Sequence, residues 1–118
     1  MVTIKDLKDL APEIYRQHLI IEAYPAFYIT EKHIKEYLSK LSEVCGMKKL
    51  SEPVTHQSPL FGWAGWIHWE TSGAHFYSWN KHLFFSVDIY TCKKFSIEAA
   101  IEFTKDYFQV REIVYKEL

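Results

Sequence analysis

Residues 63–91 read WAGWIHWETSGAHFYSWNKHLFFSVDIYT. Aromatic and β-branched residues dominate three runs in this stretch, 63–71, 74–79 and 83–91, and they predict strands rather than helices. Thr71-Ser72-Gly73 parts the first two runs and has the composition of a hairpin turn. Consecutive strands with such short connections predict antiparallel pairing.

The flanks supply the other layer. Upstream, HLIIEAY (18–24) is a β-rich apolar run that stops at Pro25 and predicts a buried strand. Thr30 is placed to cap a helix over 31–45, in which Ile34, Tyr37, Leu38, Leu41, Val44 and Cys45 fall at helical spacing. Gly46 follows at the position where helices commonly end. Residues 47–58 alternate in character, are split by Pro53, and lead into a turn at Ser58-Pro59-Leu60-Phe61-Gly62. Downstream, Ser96 is placed to cap a second helix with Ile97, Ala100, Ile101, Thr104, Tyr107 and Phe108 on one face, and VREIVY (110–115) predicts a closing strand. Ile4, Leu7, Leu10 and Ile14 are spaced as in a helix, so residues 1–15 are expected to form a short lead-in helix despite Pro12. The order β-α-β-β-β-β-α-β predicts one α+β domain over 1–118: a two-layer sandwich, mainly antiparallel, with two helices on one face.

Composition narrows the function classes. The 118 residues are 48% hydrophobic and 25% charged, which suits a globular domain rather than a disordered chain. Lys plus Arg number 14 against 15 Asp plus Glu, and no Lys or Arg occurs between 59 and 80, where the rings are densest. Stacking on single-stranded nucleic acid needs cations among the rings, so nucleic acid is not an expected partner. No 18-residue apolar run and no export signal stand in the sequence, which predicts a cytoplasmic protein without a membrane partner. On that compartment argument Cys45 and Cys92 are expected as free thiols.

Aromatics make up 17% of the chain, and all four tryptophans (63, 66, 69 and 79) lie in one window. Most of these rings suit the core of a small sheet. By strand parity Trp63, Ile67 and Trp69 point one way and Trp66 and His68 the other, so both faces carry bulky side chains. The face away from the helices is therefore expected to be covered, by a second copy in a homodimer or by a ligand. No phosphate loop, GxGxxG or nucleophile elbow occurs, and the six histidines match no metal-ligand spacing, so no metal is expected.

Residues 56–92 resemble the short, prokaryotic-type S-adenosylmethionine decarboxylases, which cleave themselves at an internal serine to make a pyruvoyl cofactor. His56, Gly62 and Gly65 fall on the first part of that family's pattern; Ser72 falls on the processing serine, Trp79 on a tryptophan, Asp88 on an aspartate and Cys92 on a cysteine. Arg16-Gln17-His18-Leu19 with Glu22 and Tyr24 resembles the family's first strand, so the similarity runs over about 16–115. By this resemblance Ser72 is the pyruvoyl precursor and Cys92 the proton donor. The substrate would be S-adenosylmethionine, its product would feed spermidine synthesis, and Phe61, Trp63 and Phe76 are candidate rings for the nucleoside.

The departures fall on the self-cleavage chemistry. Attack of the serine hydroxyl on the preceding carbonyl, followed by elimination, needs an activated nucleophile, a proton acceptor and a donor to the oxyanion. The family's glutamate before the serine is Thr71 here, its histidine after the serine is Gly73, its processing histidine is Tyr77, and its elimination-assisting serine is Ala64. A phenol with a pKa near 10 is a poor base beside an imidazole near 6.5. His75 shares strand parity with Tyr77 and is a candidate substitute base, and His68 precedes Ser72 by four residues. Two readings result. In the favoured one the chain stays intact, Ser72 is an ordinary turn residue, and the protein acts without catalysis as a ligand-binding or regulatory partner. That partner would be a paralogous decarboxylase subunit, a second copy, or S-adenosylmethionine or a related nucleoside. In the alternative, cleavage at Thr71–Ser72 yields an active pyruvoyl-dependent decarboxylase.

Overall fold

The computed structural model describes residues 1–118. Its strands are β1 (Gln17–Tyr24), β2 (Val54–Ser58), β3 (Gly62–Trp69), β4 (Ser72–Trp79), β5 (Phe84–Thr91) and β6 (Glu112–Glu117); its helices are α1 (Glu31–Val44) and α2 (Ile97–Phe108). The strands form a single antiparallel sheet in the order β2-β3-β4-β5-β1-β6, and the element order and α+β sandwich are as the sequence predicts.

Local chemistry sets the helix ends. The Thr30 backbone N–H donates to His33 Nδ1 at 3.0 Å, and Ser96 Oγ accepts from the Ala99 N–H at 3.1 Å, each meeting an otherwise unpaired group at a helix start. Gly46 adopts φ +69° just past α1, where a side chain is costly. Between the layers Tyr37 is fully buried: its ring stacks on Phe103 at 5.4 Å and its hydroxyl meets Thr104 Oγ1 at 2.8 Å. Trp69 Nε1 donates to Ser42 Oγ at 2.7 Å, so the largest core side chain also ties β3 to α1. Leu19, Ile21, Ile67, Ala74, Phe76, Phe85, Val87 and Ile89 complete the sheet's side of this core. The other face has no helix over it. One row across it runs Val54, Trp66, His75, Asp88, Ile20, Lys116 from edge to edge.

Three expectations need correction. Residues 1–16 form no helix; they run as irregular chain with a turn at Pro12–Glu13, and Leu7 and Leu10 stay exposed. A short segment with an internal proline and nothing to bury its apolar stripe has little to stabilise a helix. Ser72 is not a turn residue. The turn is Glu70–Thr71, and Ser72 opens β4 directly opposite Trp69. The last strand begins at Glu112 rather than 110, because Gln109 takes a left-handed conformation (φ +48°) to end α2.

Candidate functional site around Ser72

Ser72 is held by neighbours on both sides, Trp69 of β3 and Thr91 of β5. It nevertheless has φ +133°, a region that favours glycine, so the peptide at this serine is strained. The preceding carbonyl is gripped as well. The oxygen of Thr71 accepts the Cys92 N–H at 3.0 Å and lies 3.6 Å from the Cys92 thiol, so two donors converge on it. The Thr71 hydroxyl donates to Met47 Sδ at 3.3 Å and fixes the turn from the helix side.

On the open face, His68 and Tyr90 stand opposite Gly73 from the two flanking strands. With Ser72 and His75 they line a shallow depression of about 260 Å³. A Cβ at Gly73 would collide with the Ile67 carbonyl oxygen, so the backbones of β3 and β4 are too close for any side chain there. Tyr90 also borders a second depression of about 300 Å³, shared with Lys8, Arg16 and His18. In its vicinity His18 Nε2 lies 2.7 Å from Asp88 Oδ1, and Asp88 stands directly across from His75.

The sequence-predicted residues therefore fall into two groups. Ser72, Cys92 and the candidate base His75 gather at one end of β4, with His68. Cys92 is exposed just past β5. Tyr77 lies elsewhere: five residues of strand, about 16 Å at ~3.3 Å each, separate it from Ser72. It stands opposite Ala64, and its ring stacks on His75 at 6.4 Å. Phe61 and Trp63 lie at that same far end, where Ser78 Oγ accepts the Trp63 N–H at 3.1 Å. Phe61 is exposed and Trp63 half-buried. Phe76 has no free face. It is fully buried between Tyr37, Phe85 and Phe108, at ring distances of 5.2–5.6 Å, which rules it out as a stacking surface for a nucleoside.

Sequence reasoning missed the Cys92 N–H on the Thr71 carbonyl, a backbone contact that leaves no side-chain signature. It also missed the pairing of His18 with Asp88, both of which it had noted only as pattern matches. In the helix layer, burial pushes the Cys45 thiol up to about 12 and raises the Tyr37 hydroxyl. Glu36 is lowered there by the hydrogen bond from Tyr107.

The fold is shared with a crystal structure of the adenosylmethionine decarboxylase from Aquifex aeolicus VF5, with a TM-score of 0.76, 19% identity and 89% of each chain covered. No curated protein sequence matches the chain. The family model for S-adenosylmethionine decarboxylase matches residues 17–118, from the first residue of β1 past the end of β6. This protein belongs to the S-adenosylmethionine decarboxylase family.

Proposed function

We propose that this chain is an unprocessed, non-catalytic member of the family that serves as a ligand-binding or regulatory partner protein. The observation that carries the reading is the hairpin at Gly73. The family pattern that this stretch resembles has a histidine there, and in this chain the backbone of β3 leaves no space for any side chain. Ala64 and Tyr77, opposite each other on the open face, extend the same loss to the elimination step. That face, with Trp66, Tyr77, Trp79, Phe84 and Tyr90 on it, offers rings to a nucleoside such as S-adenosylmethionine or to a protein surface, whether a second copy or a paralogous decarboxylase subunit.

Intact mass under denaturing conditions tests this. A single species near 14.0 kDa, unchanged on long incubation, is the expected result. Fragments covering 1–71 and 72–118 would overturn it. Calorimetry with S-adenosylmethionine and with methylthioadenosine then separates the occupants: heat with either supports a nucleoside ligand, and none with both favours a protein partner.

A second reading, the active pyruvoyl-dependent decarboxylase, is favoured by the grip on the Thr71 carbonyl and the strain at Ser72. Attack by Ser72 Oγ on the Thr71 carbonyl carbon puts negative charge on the oxygen that already faces the Cys92 N–H and thiol. His68 and His75, which line the same depression as Ser72, are the imidazoles offered to take the hydroxyl proton. A pyruvoyl group at residue 72, once formed, supplies the electron sink for decarboxylation. Under this reading the mass spectrum shows the two fragments, and Ser72→Ala abolishes them.

A further inference from the structure

The depression that Tyr90 shares with the start of β1 is built largely from outside the stretch that the family model matches. Leu7, Lys8, Asp9 and Arg16 line it, and all four precede Gln17, where that match begins. The irregular chain before β1 reaches it by doubling back. Asp9 Oδ1 accepts the Ala11 N–H at 3.0 Å and pairs with Arg16 Nη2, which also reaches the Ala11 carbonyl at 3.4 Å. The Ile14 N–H closes a turn on the same carbonyl at 2.9 Å. This clasp brings Leu7 and Lys8 to one hollow with His18, Tyr90 and Leu118.

The charged groups left over in the hollow are donors. Arg16 meets both of its partners through Nη2 alone, so the N–H groups of Nη1 and Nε remain unused. Lys8 is in no ion pair. Asp9 is the one acidic side chain on the lining, and the clasp already occupies it. Asp88, beside the hollow, is likewise taken: a carboxylate only accepts, so His18 donates its Nε2–H to it at 2.7 Å. The terminal carboxyl group of Leu118 forms no ion pair with Lys8 or Arg16. A guanidinium with a free fork beside an unpaired ammonium suits an oxyanion, which the fork can hold at two points. The remaining walls are apolar. Tyr90 is 45% exposed, with its ring braced edge-on by His18 at 5.1 Å, and Leu7 and Leu118 flank it. An apolar cavity of about 150 Å³ holds a benzene ring. This hollow, at about 300 Å³, has room for a ring and one charged group.

We infer that this depression is a binding site for a small aromatic oxyanion, an aryl carboxylate or an aryl phosphate ester, with its charged group on Arg16 and Lys8 and its ring on Tyr90. Such a site is separate from a nucleoside seat among the tryptophans, and it exists whether or not the Thr71–Ser72 bond is cut.

Calorimetry on the full chain at low ionic strength tests this, with benzoate, phenyl phosphate, benzamide and inorganic phosphate as probes. Benzoate or phenyl phosphate should bind once per chain, and the tighter of the two names the anionic group. Benzamide has nearly the shape of benzoate without its charge and should bind at least ~10-fold more weakly than the tighter anion. Arg16→Lys keeps the charge but loses the fork, and Lys8→Glu turns attraction into repulsion; each should weaken that anion at least ~10-fold. Lys8 is exposed and unpaired, so Lys8→Glu keeps the test valid even where Arg16→Lys disturbs the clasp. Lys32→Glu makes the same change in net charge at an exposed position of α1, in the other layer, and should bind as the wild-type chain does. Tyr90→Ala should remove the advantage of phenyl phosphate over inorganic phosphate. No heat with either aryl anion overturns the site. Binding that Lys8→Glu affects no more than Lys32→Glu overturns it too, as does binding that benzamide matches. Phenyl phosphate held no better than inorganic phosphate by the wild-type chain overturns the ring's place on Tyr90.

Discussion

Replacing Ser72 with glycine should stabilise the intact chain, whereas replacing it with alanine should not. The backbone there sits at φ +133°, and a non-glycine residue held in so sparsely populated a region costs about 1–3 kcal/mol. Glycine removes that cost but loses more freedom on folding, a penalty of about 0.5–1 kcal/mol relative to alanine. The difference leaves Ser72→Gly more stable than Ser72→Ala by roughly 0–2.5 kcal/mol, with ~1 kcal/mol as the central value. Both variants lack the hydroxyl, so its loss cancels in the comparison. For a chain of 118 residues, ~1 kcal/mol corresponds to a rise of about 3–5 °C in Tm. The assay is thermal and urea unfolding followed by circular dichroism, on protein whose mass shows it uncleaved. The urea m-value should match between the two variants, showing that both unfold with the same exposed surface. Pairing on both sides holds Ser72 in place, so the backbone has no cheap way to relax around alanine. A glycine variant less stable than the alanine one would refute the strain, and with it one of the two supports for self-cleavage.

Four other outcomes follow from individual contacts. Asn80→Ala should lose about 1–3 kcal/mol in urea unfolding, because its amide bridges both the N–H and the carbonyl of Ile29, at 2.9 and 2.8 Å. Gly73→Ala should cost about 1–3 kcal/mol, since the β3 backbone must give way, and Gly73→His should destabilise further without producing cleavage fragments. The Cys45 thiol is buried and pushed up to about 12, so it stays protonated in the folded state while the unfolded chain ionises above about 8.5. Stability should therefore fall as pH rises from about 8.5 towards that folded value, by at most ~1.4 kcal/mol per unit from this group, and Cys45→Ala should flatten that slope in urea titrations. Iodoacetamide should label only the exposed Cys92 in the native protein and both cysteines in denaturant.

The sheet and both main helices are legible in the sequence because their signals are periodic. Ile34, Tyr37, Leu38 and Leu41 mark one face of α1, and the alternation Phe85, Val87, Ile89 marks the buried side of β5. Residues 4–14 show a similar period and yet form no helix. Periodicity predicts a helix only where something packs against the stripe. The site was half legible. Ser72 and Cys92 stand out by their resemblance to a known pattern, but composition alone makes Thr71-Ser72-Gly73 look like the turn and hides the strain. Phe76 illustrates the other limit. Strand sequence gives parity, but only the helix layer decides which parity is the core. The Asn80 bridge to Ile29 joins residues 51 apart and has no local signal.

The strand order bears on what a cut at the hairpin could do. The piece ending at Thr71 would own β1, β2 and β3, and the piece starting at Ser72 would own β4, β5 and β6. In the sheet, β1 lies between β5 and β6, and β3 lies beside β4, so the two pieces interlock like fingers of folded hands. Breaking the Thr71–Ser72 bond would leave every ladder and the whole core in place. A cleaved protein and an intact one would share a native size, a far-ultraviolet spectrum and, to a first approximation, a surface. The topology makes covalent continuity at residue 71 dispensable to the folded shape, so the hairpin is free to be either a closed turn or a chain end.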